Sequence, residues 1–206
     1  MEHQSARESG TDLALCLRRG TRHLHERIER LPAFAALISD SLSRAHYRRF
    51  MARYAGHLFA LEPRLRRALS RSAFLPYLDG SCRIDALERD LLALGIPGDA
   101  IPTDPLAWFA PDDEAFALGV LYVHTGARLG AAVVCRHLGD SLEIDATRGA
   151  AYFCAPEQSP GWRRFVGEVN TCPQRGIDPD RATMGARAAF AGLYEWMRPG
   201  PWELPA

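Results

Sequence analysis

Apolar side chains recur along this chain at spacings of three and four, and alternating β-branched runs are nearly absent, which predicts an all-α fold. Thr11 or Asp12 caps a first helix that stops before Pro32, with Leu13, Leu17, Leu24, Ile28 and Leu31 as its apolar stripe. A short helix over 34–38 leads to a serine cap at 41–43. Next comes a long amphipathic helix carrying Tyr47, Phe50, Met51, Tyr54, Leu58, Leu61, Leu65 and Leu69, in which Pro63 sets a kink or a break. The segment RIDALERDLLALG reads as a helix closed by Gly95 in the left-handed conformation, and the Gly/Pro-rich stretch 96–111 as a loop wrapping the surface. Asp112, Asp113 and Glu114 place negative charge at the start of an apolar helix over 116–138, which Gly139 ends. Two helices near 142–153 and 161–169 precede the turn-rich CPQRGIDPD, and Pro179 opens a last helix running to about 197. The boundaries give one helical domain over 12–198, a flexible N-terminal tail over 1–11 and a Pro-rich C-terminal tail over 199–206.

Within the 116–138 helix, Gly119, Gly126 and Gly130 fall within about 40° of one another at 100° per residue, leaving one nearly side-chain-free stripe. Each interior glycine costs about 1 kcal/mol relative to alanine, so three on one face need a reason. Close helix-to-helix contact is one reason. A planar cofactor lying between this stripe and a ligand from another helix is the other, and His25 on the first helix is the candidate ligand.

Basic and acidic side chains balance at 25 each, so no charge footprint points to nucleic acid or an anionic membrane. All the cations other than histidine are arginine, which excludes Schiff-base and lysine-nucleophile chemistry. The cysteines, 16, 82, 135, 154 and 172, are odd in number and form no CxxC pair, so neither a disulfide framework nor a zinc cluster is expected, and a reducing cytoplasm fits best. No stretch is expected to be apolar for long enough to span a bilayer.

Arg18, Arg22, His25 and Glu29 share one side of the first helix, next to its apolar stripe. Cations above a histidine at the rim of a greasy surface suit an amphipathic dianion such as heme, with imidazole to iron and arginines to the propionates. The plainer reading is a half-exposed histidine among salt-bridging neighbours.

These residues carry a resemblance. LRRGTRHLHERIE, with Thr21, His25 and Glu29 at successive intervals of four, looks like the N-terminal motif of heme oxygenases, and YVHTGARLGA is similar to the distal-helix motif of the bacterial branch. FMARYAGHLFALEPRL and AAFAGLYEWM also resemble that branch, particularly its bacteriophytochrome-associated members. The resemblance spans about residues 12 to 198. It implies a single-domain helical bundle with a kinked, glycine-containing distal helix, and an enzyme opening heme to biliverdin, carbon monoxide and iron. It also implies His25 as the proximal ligand and Gly126 and Gly130 as the bare surface over the other face. Arg18 and, on a looser match, Arg163 are implied at the propionates, and Tyr122 at a propionate or in the distal pocket. Heme is both substrate and cofactor. No flavin or iron-sulfur site is recognisable, so electrons are expected from a separate ferredoxin or reductase, and a bacteriophytochrome is a candidate recipient of the product.

The chain departs from the pattern where bacterial members carry Glu-Gly-Ser, here Thr125, Gly126 and Ala127, and where other branches use an aspartate at the Ala127 position. Proton delivery then rests on backbone carbonyls at the kink and on water held by another group, for which His57 is the candidate. His124 points away from the glycine face, and His137 is a rival ligand only if His25 fails. The Cys172–Pro173 pair matches a short motif of heme-responsive proteins but has very little specificity. Ala127 motivates an alternative, a heme carrier or sensor without turnover. A third reading, a relative of thiamine-salvage enzymes, ranks last because Cys16 lies opposite His25.

Overall fold

In the computed structural model, which describes residues 12–110, 112–154 and 161–198, Asp12 caps the first helix, its carboxylate accepting the Leu15 N–H at 2.9 Å. That helix, α1 (Leu13–Glu29), is followed by α2 (Pro32–Ala35) and a 3₁₀ turn, Ala36–Ile38. Ser43 caps α3 (Arg44–Ala68) by accepting the His46 N–H at 3.2 Å. Pro63 does not break α3. Buried Leu61 and Leu65 on either side of it hold the last turns onto the core. The tails expected over 1–11 and 199–206, and Thr11, lie outside the described residues.

Helix α4 (Leu75–Cys82), absent from the expectations, abuts α5 (Ile84–Ala93) through Arg83, whose φ of 42° is left-handed. Gly95 closes α5 at φ 64°, as expected. The stretch after it does not wrap the surface. Ile96, Asp104, Leu106 and Phe109 are buried, and the Pro102 carbonyl sits so close to Gly56 that a Cβ there would overlap it. Apolar anchors at three points and a buried partner for Asp104 draw this loop inward.

The glycine helix is α6 (Glu114–Ala127), a 3₁₀ turn at Arg128–Gly130 and α7 (Ala131–Leu142). The 3₁₀ segment is the kink, because tightening the winding for one turn shifts the phase of everything after it. Gly139 does not end the helix; Glu143, left-handed at φ 55°, does. By length and composition the whole run Glu114–Leu142 is apolar enough to cross a membrane, contrary to the expectation, although 44% of its apolar window is buried within the protein. Nor is 142–153 a helix. Asp145 draws the backbone N–H and hydroxyl of Thr147 into a local turn and Gly149 takes φ 107°, so only α8 (Ala151–Cys154) forms, begun by the buried Asp90 accepting the Ala151 and Tyr152 N–H groups at 2.7 Å each.

The chain closes with α9 (Trp162–Val169) and α10 (Pro179–Met197), the latter capped by Asp178. Helix α10 packs against both α1 and α6. A Cβ on Gly119 would overlap the Ala182 carbonyl and one on Gly185 the Phe116 carbonyl, so α6 and α10 touch backbone to backbone. Arg181 pairs with Asp113, and the Arg187 Nε donates to the Gly20 carbonyl at 2.9 Å. Two buried clusters result: one joins α1, the C-terminal half of α3, α4, α6, α9 and α10, and the other the N-terminal half of α3, α5, α7 and α8.

Cys135 and Cys154 form a disulfide, tying α7 to α8. This corrects the expectation of unpaired thiols and removes the argument for a reducing compartment that rested on it. Spacing along the sequence could not show it, since the pair is brought together by the turn at Asp145.

Candidate functional site

Helix α1 carries His25 on its outer face, with 57% of the side chain exposed. Its Nδ1 lies 3.5 Å from the Glu29 carboxylate one turn on, and its ring meets Phe190 of α10 edge-on at 5.6 Å between centroids. Thr21, one turn before, is buried and donates its hydroxyl to the Leu17 carbonyl at 2.7 Å, so it fixes the helix instead of facing a ligand. Arg18 and Arg22 are exposed, and Arg22 pairs with Glu26 at 3.1 Å. Burial pushes the Tyr122 phenol up, and the charge of Arg18 opposes that shift, which brings the two expected propionate contacts into one electrostatic neighbourhood. Arg163 lies exposed on α9 beside Trp162.

The glycine ladder divides. Gly119 is a packing residue against α10. At Gly126 the nearest groups to an added Cβ are atoms of the Trp162 ring at 3.5 and 3.6 Å, so a flat aromatic already lies on it, and that indole also packs on Tyr122 at 5.3 Å. At Gly130 nothing comes within 4 Å. Ala127 is exposed, and so are Leu129 and Val133, at 61% and 55%. A helix surface with no side chain at Gly130, flanked by exposed apolar groups, fits a flat apolar molecule, and an accessible imidazole with nearby arginines fits a metal and two carboxylates.

His57 is buried at 4% exposure, its Nδ1 2.7 Å from Asp104 and its ring stacked on Trp108. Asp104 also accepts the Leu106 N–H at 2.9 Å. Burial, with smaller contributions from the charges of His57 and Arg128, brings His124 down to about 4, so it is neutral at pH 7. His137 is engaged by the Ser39 carbonyl at 2.9 Å and Ser141 at 3.1 Å. Burial pushes the Cys172 thiol up to about 11, which leaves no thiolate to bind a metal there. Among the described residues no cluster of three His, Cys, Asp or Glu could hold a bare metal ion.

A family model for heme oxygenase matches residues 11–199. The chain belongs to the heme oxygenase family. Heme oxygenase PigA of Pseudomonas aeruginosa is 34% identical over 176 residues, covering 82% of this chain and 83% of that protein. A heme oxygenase of Xanthomonas campestris pv. campestris is 34% identical over 113 residues, 54% of this chain and 65% of its own length. The NO- and CO-bound heme oxygenase of Neisseria meningitidis superposes with a TM-score of 0.70 at 25% identity, covering 94% of this chain and 96% of that one. The all-α heme oxygenase fold and enzyme class expected from the sequence therefore stand. Sequence reasoning missed Trp162 over Gly126 and Asp104 behind His57, because both are tertiary pairings with no local signature. Phe190 lay within a matched motif but had no role assigned to it.

Proposed function

We propose that this heme oxygenase opens heme to biliverdin, carbon monoxide and iron, using oxygen and electrons from a separate ferredoxin or reductase, and passes the product to a bacteriophytochrome. The observation that carries the reading is an accessible imidazole, His25, on a chain of this family whose kinked helix leaves Gly130 open. His25 would hold the iron through its imidazole, and Glu29, 3.5 Å from Nδ1, would orient the ring and raise its basicity. Arg18 and Tyr122 hold the propionates, with Arg163 as a further contact. Gly126 and Gly130 would let helix backbone approach the other face of the ring, and a ring reaching Gly126 would have to displace the Trp162 indole now lying on it.

Bound heme supplies the iron at which oxygen is activated and the ring that is opened. Ala127 has no side-chain hydrogen bond to give, so water at the distal side would rest on backbone carbonyls at the 3₁₀ kink. His57, whose Nδ1 is engaged by Asp104 and whose charge bears on His124, is the candidate side chain that would relay a proton toward that water. Ala127 is the feature a carrier or sensor would share; family membership favours turnover.

Hemin titration followed by absorption tests the ligand. The wild type forms a one-to-one complex with a shifted Soret band; His25→Ala loses that shift, and free imidazole restores it. An unchanged spectrum in the variant would remove His25 from the iron.

A further inference from the structure

A cavity of about 410 Å³ lies between the α6–α7 run and the edge formed by α8 and α9, with no lining residue from α1. Arg83, Arg128 and Arg136 line it, and no Asp or Glu does among the described residues. The guanidinium groups of Arg83 and Arg128 converge on a single acceptor, the Tyr152 carbonyl, at 3.4 and 2.8 Å. Thr125, only 3% exposed, lines the same cavity, and its Oγ1 has no hydrogen-bond partner. A buried hydroxyl without a partner is costly, and an oxygen of a bound ligand removes that cost. Phe153 and Trp162 supply aromatic walls.

We propose that this cavity, which borders the glycine face at Trp162 and Leu129 but takes no residue from α1, is a second ligand site for a small aromatic or conjugated carboxylate. Arg128 and Arg136 hold the carboxylate by charge-assisted hydrogen bonds, the Thr125 hydroxyl donates to it, and the flat body lies against Phe153 and Trp162. The volume admits a ligand of benzoate's size.

Isothermal titration of the full chain with benzoate, acetate and inorganic phosphate tests this. Benzoate binds one-to-one and saturably, with acetate and phosphate at least tenfold weaker. Arg128→Gln weakens benzoate at least tenfold and Thr125→Val several-fold, while His25→Ala binds it as the wild type does. Arg136→Gln, at an exposed position, gives the same direction of change if Arg128→Gln does not fold. Failure of benzoate to saturate, indifference to the arginine variants, or phosphate binding above benzoate would overturn the proposed ligand class. Displacement of benzoate by one equivalent of hemin would make the cavity part of the tetrapyrrole site and overturn its independence.

Discussion

At the level of single residues, His25 and Asp104 show opposite couplings between chemistry and stability. His25 is more than half exposed, with Glu29 and Phe190 beside it, so His25→Ala changes unfolding free energy by less than about 0.5 kcal/mol while removing the iron ligand. Urea denaturation of the apoprotein checks this, and a loss of several kcal/mol would mean that His25 is a packing residue. Asp104→Ala leaves buried His57 without its partner at 2.7 Å and lowers stability by about 3 kcal/mol. A denaturation midpoint equal to wild type would show that the pair is not formed in solution. The histidine was legible because Thr21, His25 and Glu29 are spaced within one helix. Asp104 was not, since its partner lies 47 residues away across a loop that composition alone assigns to the surface.

Among the helices, the three glycines that share a face in an ideal helix have different surroundings: helix backbone at Gly119, an indole at Gly126 and open space at Gly130. Gly119→Ala drives a methyl group into the Ala182 carbonyl and separates α6 from α10, costing about 2 kcal/mol or more. Gly130→Ala meets open space with φ −83° and raises apoprotein stability by about 0.5 kcal/mol, while weakening hemin binding at the bare surface. Thermal unfolding of the two variants, with hemin titration of the second, separates packing from ligand roles; equal destabilisation would give both glycines to packing. Periodicity located α1, α3, α5, α6, α9 and α10 because each has an apolar stripe and, in most, a capping residue. It failed over 142–153, where Asp145 and Gly149 turn the chain, and at Gly139, where tertiary packing carries the helix past a residue that often ends one.

Over the molecule as a whole, two features couple stability to conditions. His124 is neutral when folded, at about 4, and near 6.5 when unfolded, so between those values the unfolded chain binds the extra proton. Stability is therefore complete above about pH 6.5 and falls by roughly 3 kcal/mol on acidification toward pH 4. His124→Gln flattens that slope in urea titrations across the window; an unchanged slope would assign it to other groups. Reducing the Cys135–Cys154 bridge, whose cysteines lie 19 residues apart, lowers the unfolding free energy by about 3 kcal/mol, read as a lower denaturation midpoint in dithiothreitol. Degradation of heme held by His25 is the property on which these readings rest. It is tested most directly by adding ascorbate, in air and with catalase present, to the hemin complexes of wild type and His25→Ala. In the wild type the Soret band bleaches as a bilin band grows, and the variant yields no bilin. A wild-type Soret band that persists, or equal bilin formation by both proteins, would contradict it.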